Sequence, residues 1–379
     1  MSQSVATSVR RKVKFIDYSY WYNIEKEEID AILQDCLSRG QLLLRDEVES
    51  FESNLAKYVG TKYAVATSNC TDSLRLSLTA AGIGPGDEVI TSAHTFAATV
   101  AAIEQVGAEP VLADIKSDDH LIDIESVKRL ITSKTRCIIP VSLNGRVADL
   151  EEIEDLAADH EILLIEDAAQ GLGGYRNGRM AGSFGIAGCF SFYPAKTLGA
   201  LGDAGAITTN SEDMYNKLIA LRNHNRTSDG DIKKWGFNCR LDNIQAAVLD
   251  FRLTRLEEYI KKRRHIASMY HEGLNEIEEI MLPPNDRNDR ENRDAYQNFE
   301  LEAKNRDELL NFLKAEGIEI ILPWGGKAIH QFSAFHGDSS YLWVTDRVFD
   351  QIMTLPMHVA LKDDEVEYVI ELVRQFYGI

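Results

Sequence analysis

Between residues 62 and 210, short apolar runs alternate with stretches of helical spacing. The runs 63–67, 88–91, 110–114, 137–141 and 162–165 read as strands. Between them, 71–81, 95–106, 124–131 and 150–160 carry apolar residues at helical intervals. Strand and helix in alternation predict a mostly parallel sheet covered on both faces. Ligands of such sheets lie beyond the carboxyl ends of the strands. Thr67, Ser68, Asn69, Asp114, Asp167 and Lys196 all fall at or just past a strand end.

The texture changes after Leu241. Apolar residues at Ile244, Val248, Leu249, Leu253, Leu256, Ile260 and Ile266 predict one long helix over 242–269. Residues 283–292 are polar and loop-like. The run 296–301, a helix over 307–317, a strand near 318–322 and a final helix over 363–377 make a small α/β unit. A chain of 379 residues is too long for one simple core. The expected division is a large domain over 1–250 and a small one over 251–379, with the N-terminal stretch packed on the small one. No repeat or low-complexity tract is present.

Composition removes several classes of function. No apolar run approaches the ~20 residues of a membrane helix, and the basic N-terminus is followed by no apolar segment of a secretory signal. The net charge of −19 argues against nucleic acid as the main partner, since phosphate backbones demand basic surface. A small anionic ligand needs only a local basic pocket. Five scattered cysteines, none at C-x-x-C spacing, suggest neither a zinc site nor a disulfide framework. A reducing cytoplasm is the expected home.

Two strand ends carry the candidate chemistry. The apolar run 188–192 ends in a turn that delivers Lys196, and the run 162–165 ends in Glu166 and Asp167. An amine beside an apolar strand end loses its proton cheaply and can form a Schiff base. A nearby carboxylate can keep a pyridinium nitrogen protonated. Together they are what a protein supplies to pyridoxal phosphate.

Five motifs then occur in order: Ser68-Asn69-Cys70-Thr71-Asp72, Gly84 to Ile90, Glu166-Asp167-Ala168-Ala169-Gln170, Ser191 to Lys196, and Arg240 to Ala247. From about Lys14 to its end the chain resembles the DegT/DnrJ/EryC1/StrS sugar aminotransferases. The resemblance implies the type I fold of pyridoxal-phosphate enzymes: a seven-stranded, mostly parallel sheet between helices, and a smaller C-terminal α/β domain. It implies that Lys196 binds the cofactor covalently and shuttles a proton, and that Asp167 pairs with the pyridine nitrogen. Gln170 is implied near the phenolic oxygen, Phe96 stacked on the ring, and Cys70, Thr71 and Asp72 as a turn whose amides meet the phosphate. Ser191 would donate to that phosphate, and Asn238 would reach it from the neighbouring subunit of a homodimer. The implied substrates are L-glutamate and a nucleotide-linked 3- or 4-keto-6-deoxy sugar, with pyridoxamine phosphate as intermediate and no metal. The implied setting is amino-sugar biosynthesis for surface polysaccharide or glycosylated metabolites.

Candidate sugar contacts are Tyr193, Arg226, Lys233, Lys327 and His330, although solvated loop or core positions are the plainer reading for most of them. Three features depart from the family pattern. Cys70 stands where glycine is common, which is tolerable only at negative φ. Ser142 replaces a frequent histidine at an expected pocket wall. The segment 322–330 differs from the usual Pro/Leu-rich version and leaves the sugar open. Two other readings compete: a sugar dehydratase on the same fold, in which histidine typically replaces the lysine, and a non-catalytic regulator.

Overall fold

Three helices, α1 (Tyr18–Ile24), α2 (Lys26–Arg39) and α3 (Asp46–Val59), precede the first strand in the computed structural model, which describes residues 12–226, 230–285 and 291–379. The predicted alternation follows, with edges shifted by no more than two residues. It runs β1 (Tyr63–Thr67), α4 (Cys70–Ala81), β2 (Glu88–Ser92), α5 (Ala97–Gln105), β3 (Glu109–Ala113), α6 (Ile124–Leu130), β4 (Thr135–Ile139), α7 (Leu150–Asp159) and β5 (Leu163–Asp167). A short hairpin, β6 (Tyr175–Arg176) and β7 (Arg179–Met180), leads to β8 (Ala187–Ser191), β9 (Gly205–Thr209) and α8 (Glu212–Arg222).

Seven of these strands form one sheet in the order β1-β9-β8-β5-β4-β2-β3. Only the β1–β9 and β8–β9 pairings are antiparallel, so β9 alone runs against the other six. The pleat sends Ala64, Ala66, Ile90, Ile138, Leu164 and Phe190 into one core. It sends Val65, Val89, Cys137, Ile139, Ile165 and Cys189 into the other. Burial on both faces is why these strands read as continuous apolar runs. All five cysteines are buried and unpaired.

The remainder comprises α9 (Asn243–Leu253), α10 (Leu256–Leu274), β10 (Ile280–Met281), β11 (Phe299–Ala303), α11 (Arg306–Ala315), α12 (Trp343–Gln351), β12 (Ile352–Leu355) and α13 (Asp363–Tyr377). β10, β11 and β12 form a separate antiparallel sheet over a core that includes Tyr270, Phe299, Leu301, Leu309 and Val369. Two expectations fail here. The long helix over 242–269 is two helices, because the Thr254 hydroxyl donates to the Phe251 carbonyl at 2.7 Å and closes a turn of its own. The strand near 318–322 is reduced to single bridges, Val13 to Ile318 and Ile321 to Thr354, before the turn at Pro323–Gly325. Near the N-terminus, Val13 joins the second core while Trp21 joins the first.

Polar ties join the seven-stranded sheet to the elements around β11. Asp114, one residue past β3, accepts from the amides of Val344 and Thr345 at 3.0 and 2.9 Å and from the Thr345 hydroxyl at 2.7 Å, capping the start of α12. His120 sits between Glu300 and Glu302 of β11, with each ring nitrogen 3.1 Å from a carboxylate. Burial opposes its charge, but the two carboxylates outweigh burial and push its pKa up to about 9. The raised folded pKa means that this contribution to stability is intact below the ordinary histidine pKa and disappears as pH rises through about 9. The melting temperature of the wild type should therefore fall more steeply than that of His120→Asn between about pH 8 and about pH 10. Parallel pH profiles for the two proteins would show that the imidazole carries no charge.

Candidate active site

β5 ends in Asp167, and the adjacent parallel strand β8 ends in Ser191, five residues before Lys196. These side chains and the start of α4 open onto one cavity of about 470 Å³. Its wall includes Cys70, Thr71, Phe96, Asp167, Gln170, Ser191, Tyr193, Lys196 and Trp324. Most of the residues named from sequence are thus brought together at the carboxyl ends of the strands, as a parallel sheet requires.

Asp167 is buried, and that burial raises its pKa. The Thr99 hydroxyl donates to Asp167 Oδ2 at 2.8 Å and the Ala169 amide donates to Oδ1 at 3.1 Å, both favouring the anion. Lys196 lines the cavity with its amine surrounded by protein. Burial lowers its pKa, opposed by Cys70 and Asp167. Desolvation therefore pushes both groups toward neutrality, while the field between them favours charge. The Thr95 hydroxyl, on the cavity wall, lies 2.7 Å from that of Thr99 and extends the chain of hydroxyls toward the carboxylate.

Helix α4 begins at Cys70, with the Asn69 side chain as its cap. Helix geometry leaves the amides of Cys70 and Thr71 without an intrahelical acceptor. The Asp72 amide is different: it donates to Asn69 Oδ1 at 2.8 Å. The Asp72 carboxylate accepts from Asn69 Nδ2 at 3.0 Å and from Arg75 at 2.5 Å, and does not line the cavity. The expected three-amide turn is thus a two-amide turn. Cys70 adopts no positive φ, so its side chain is no obstacle there. Gly205 pairs with Thr67 and Ser191 at the start of β9, and a Cβ on it would lie 2.5 Å from the Asn69 carbonyl carbon. Only glycine lets the sheet approach this turn so closely.

Gln170 accepts from the Asn144 amide at 2.8 Å. Phe96 is half exposed over the cavity and packs against Trp324, with ring centroids 5.3 Å apart. Ser142 does not form the pocket wall: it is fully buried and donates to Glu166 at 2.6 Å, while its neighbours Val141 and Leu143 line the cavity. Burial pushes the Glu166 pKa up to about 7. Of the divergent segment 322–330, Trp324 reaches the wall in a left-handed conformation, φ 52°. Lys327 points to solvent outside it, and His330 is turned to Asp346 at 2.8 Å. Arg226, Lys233 and Asn238 are exposed and lie outside the cavity of their own chain. The polar stretches 223–231 and 283–292 include residues 227–229 and 286–290, which lie outside the described residues.

The family model for the DegT/DnrJ/EryC1/StrS aminotransferases matches residues 23–374. The chain belongs to this aminotransferase family. It is 36% identical over 369 residues to a dTDP-3-amino-3,4,6-trideoxy-alpha-D-glucose transaminase of Micromonospora megalomicea subsp. nigra, covering 94% of this chain and 97% of that one. It is 35% identical over 370 residues to a pleiotropic regulatory protein of Geobacillus stearothermophilus, covering 96% and 98%. Its fold matches the crystal structure of S. venezuelae DesV in complex with a ketimine intermediate, with TM-score 0.93, 33% identity and coverage of 97% and 99%.

The type I fold expected of an aminotransferase is therefore the fold present. Sequence reading missed Thr99 and Gly205. Thr95 precedes α5 and Thr99 lies in its first turn, so their pairing is set by the way the chain enters the helix rather than by helical spacing. Gly205 is invisible without the pairing of β9. In this aminotransferase, Gly205→Ala should lower stability by about 1–3 kcal/mol through backbone overpacking and weaken pyridoxal phosphate binding. Thermal melts and cofactor titration check this; unchanged values in both would mean that the turn tolerates displacement.

Proposed function

We propose that the protein transfers an amino group from L-glutamate to a nucleotide-linked keto-sugar, as a cytoplasmic homodimer. It is a sugar aminotransferase of a pyridoxal-phosphate-dependent family. The observation that carries the reading is a lysine amine and an aspartate carboxylate, set at neighbouring strand ends and facing one cavity. The donor set suits the cofactor: an anion stabilised by Thr99 and Ala169, an amine eased toward neutrality, and two helix-start amides with the Ser191 hydroxyl for a phosphate. The close approach of Gly205 makes the phosphate end a backbone-lined cradle.

When bound, pyridoxal phosphate supplies an aldehyde and a protonated ring that accepts an electron pair. The protein's part is positional and protolytic. Asp167 offers a carboxylate whose anionic form Thr99 and the Ala169 amide favour, and the Thr99 hydroxyl sets its plane. The Lys196 amine, whose pKa burial lowers, can take a proton from a substrate carbon and return one, the role of a general acid–base. Phe96 and Trp324 give the cavity an aromatic wall. Gln170 and Ser191 offer hydrogen-bonding groups along the wall.

The sugar and its nucleotide rest on relatives, whose names include dTDP- and UDP-linked sugars. Tyr193, half exposed at the cavity mouth, is the substrate contact that the geometry supports best. Arg226, Lys233, Lys327 and His330 lie outside this chain's cavity, and a part in sugar binding would require approach from another subunit. The same holds for the proposed phosphate contact of Asn238. The name of the Geobacillus relative raises a regulator as a second reading; a regulator makes no use of an amine and a carboxylate facing one cavity.

Borohydride reduction of the holoenzyme followed by peptide mapping should place the pyridoxyl group on Lys196. A label on another lysine overturns the assignment. Lys196→Ala should keep the cofactor non-covalently and lose on the order of 10²- to 10⁴-fold in 2-oxoglutarate release with keto-sugar nucleotides. Asn238→Ala should release the cofactor more readily, and more so as the protein is diluted. Equal retention at all concentrations would make Asn238 a residue of its own chain's fold.

A further inference from the structure

The backbone on either side of Lys196 is held by one side chain from a distant part of the chain. Gln297 Nε2 donates to the Ala195 carbonyl at 2.9 Å. Gln297 Oε1 accepts from the Thr197 amide at 2.5 Å and from the Thr197 hydroxyl at 2.8 Å. The three bonds fix the orientation of the carboxamide, because its NH₂ faces a carbonyl and its oxygen faces two donors. Both Gln297 and Thr197 are buried, and Gln297 does not line the cavity.

Gln297 is itself boxed in. Its carbonyl accepts from Arg263 Nη1 at 2.9 Å, and the same nitrogen lies 3.2 Å from the Tyr296 carbonyl and 3.0 Å from that of Met357. Arg263 is buried among carbonyls, with no carboxylate bonded to it among the described contacts. On another side, a Cβ on Gly145 would lie 2.7 Å from the Gln297 amide nitrogen, so the two backbones are in direct contact. Tyr296 adopts φ 50°, a left-handed conformation that turns the chain into this position. A side chain on so constrained a backbone has little freedom to follow a moving loop.

We propose that Gln297 is a positioning residue that sets the direction from which the Lys196 amine enters the cavity. It spans the lysine by holding Ala195 and Thr197, and it acts on the amine only through that backbone. The inference rests on the reading of Lys196 as the acting amine. Loss of the clamp lets the 195–197 turn rotate. The amine then samples wetter positions, and regained solvation, the larger effect, outweighs the weaker field of Asp167, so its ease of deprotonation falls.

The test compares Gln297→Ala with Gln297→Glu. The glutamate is nearly isosteric and still accepts from Thr197, but as an anion it repels the Ala195 carbonyl. The first readout is the pH dependence of Lys196 labelling by an amine-reactive reagent in cofactor-free protein, followed by peptide mapping. The midpoint should move to higher pH in both variants. The second readout, on holoenzyme, is a fall in kcat on the order of 10²-fold with KM for the amino donor little changed, as displacement of a reacting group by about 1 Å produces. Should Gln297→Ala not fold, Gln297→Met, which is uncharged, of similar length and unable to bond either flank, takes its place, because the glutamate anion raises the midpoint by its own charge. A lower melting temperature with an unmoved labelling midpoint and unmoved kcat would make Gln297 a purely structural residue and overturn the proposal. Absence of a wild-type Lys196 adduct after borohydride treatment would instead overturn the reading beneath it, so the two failures are distinguishable.

Discussion

Two opposite charges at the ends of adjacent parallel strands are the constraint that organises this molecule. A parallel sheet puts every carboxyl end on the same side, so β5 and β8 bring Asp167 and the Lys196 turn to one rim. Burial penalises both ions, shifting the carboxyl upward and the amine downward. Thr99, the Ala169 amide and the mutual field restore part of the charge. The balance leaves the carboxyl raised and the amine lowered, each moved toward its neutral form while the other's field resists. Cavity, helix start and aromatic wall are arranged around that pair.

The βα alternation was legible because strands buried on both faces leave unbroken apolar runs, and the helices between them keep helical spacing. The same logic fails at Thr254, where one hydroxyl bond divides a helix whose apolar rhythm continues undisturbed. Motif order located Lys196, Asp167, Gln170, Phe96 and Ser191 at one cavity, because strand ends are fixed by topology. It could not tell which groups of a motif face inward. Asp72 turns back to Asn69 and Arg75, and Ser142 turns to Glu166, through hydrogen bonds that sequence does not display. His330 is claimed by Asp346, sixteen positions away, which no local pattern announces.

The two sheets meet through polar groups at several points. Asp114 caps α12, His120 bridges Glu300 and Glu302, and Arg146 pairs with Asp294 at 2.7 Å. Such contacts demand defined geometry, whereas apolar surfaces tolerate sliding. Residues near β11 can therefore specify positions at the rim of the larger sheet. A carboxamide from that region reaches both flanks of the lysine for this reason.

The reversed strand has a consequence for how the protein is made. β1 emerges early, yet its ladder partner is β9, with Tyr63 opposite Thr209. The helix start that follows β1 is shaped against Gly205 at the other end of that same strand. The intervening strands can pair with one another first, and the anion-binding turn is finished only when the later segment leaves the ribosome and slots between β1 and β8. A nascent chain interrupted before that point would carry most of its apolar core and no competence to retain its coenzyme.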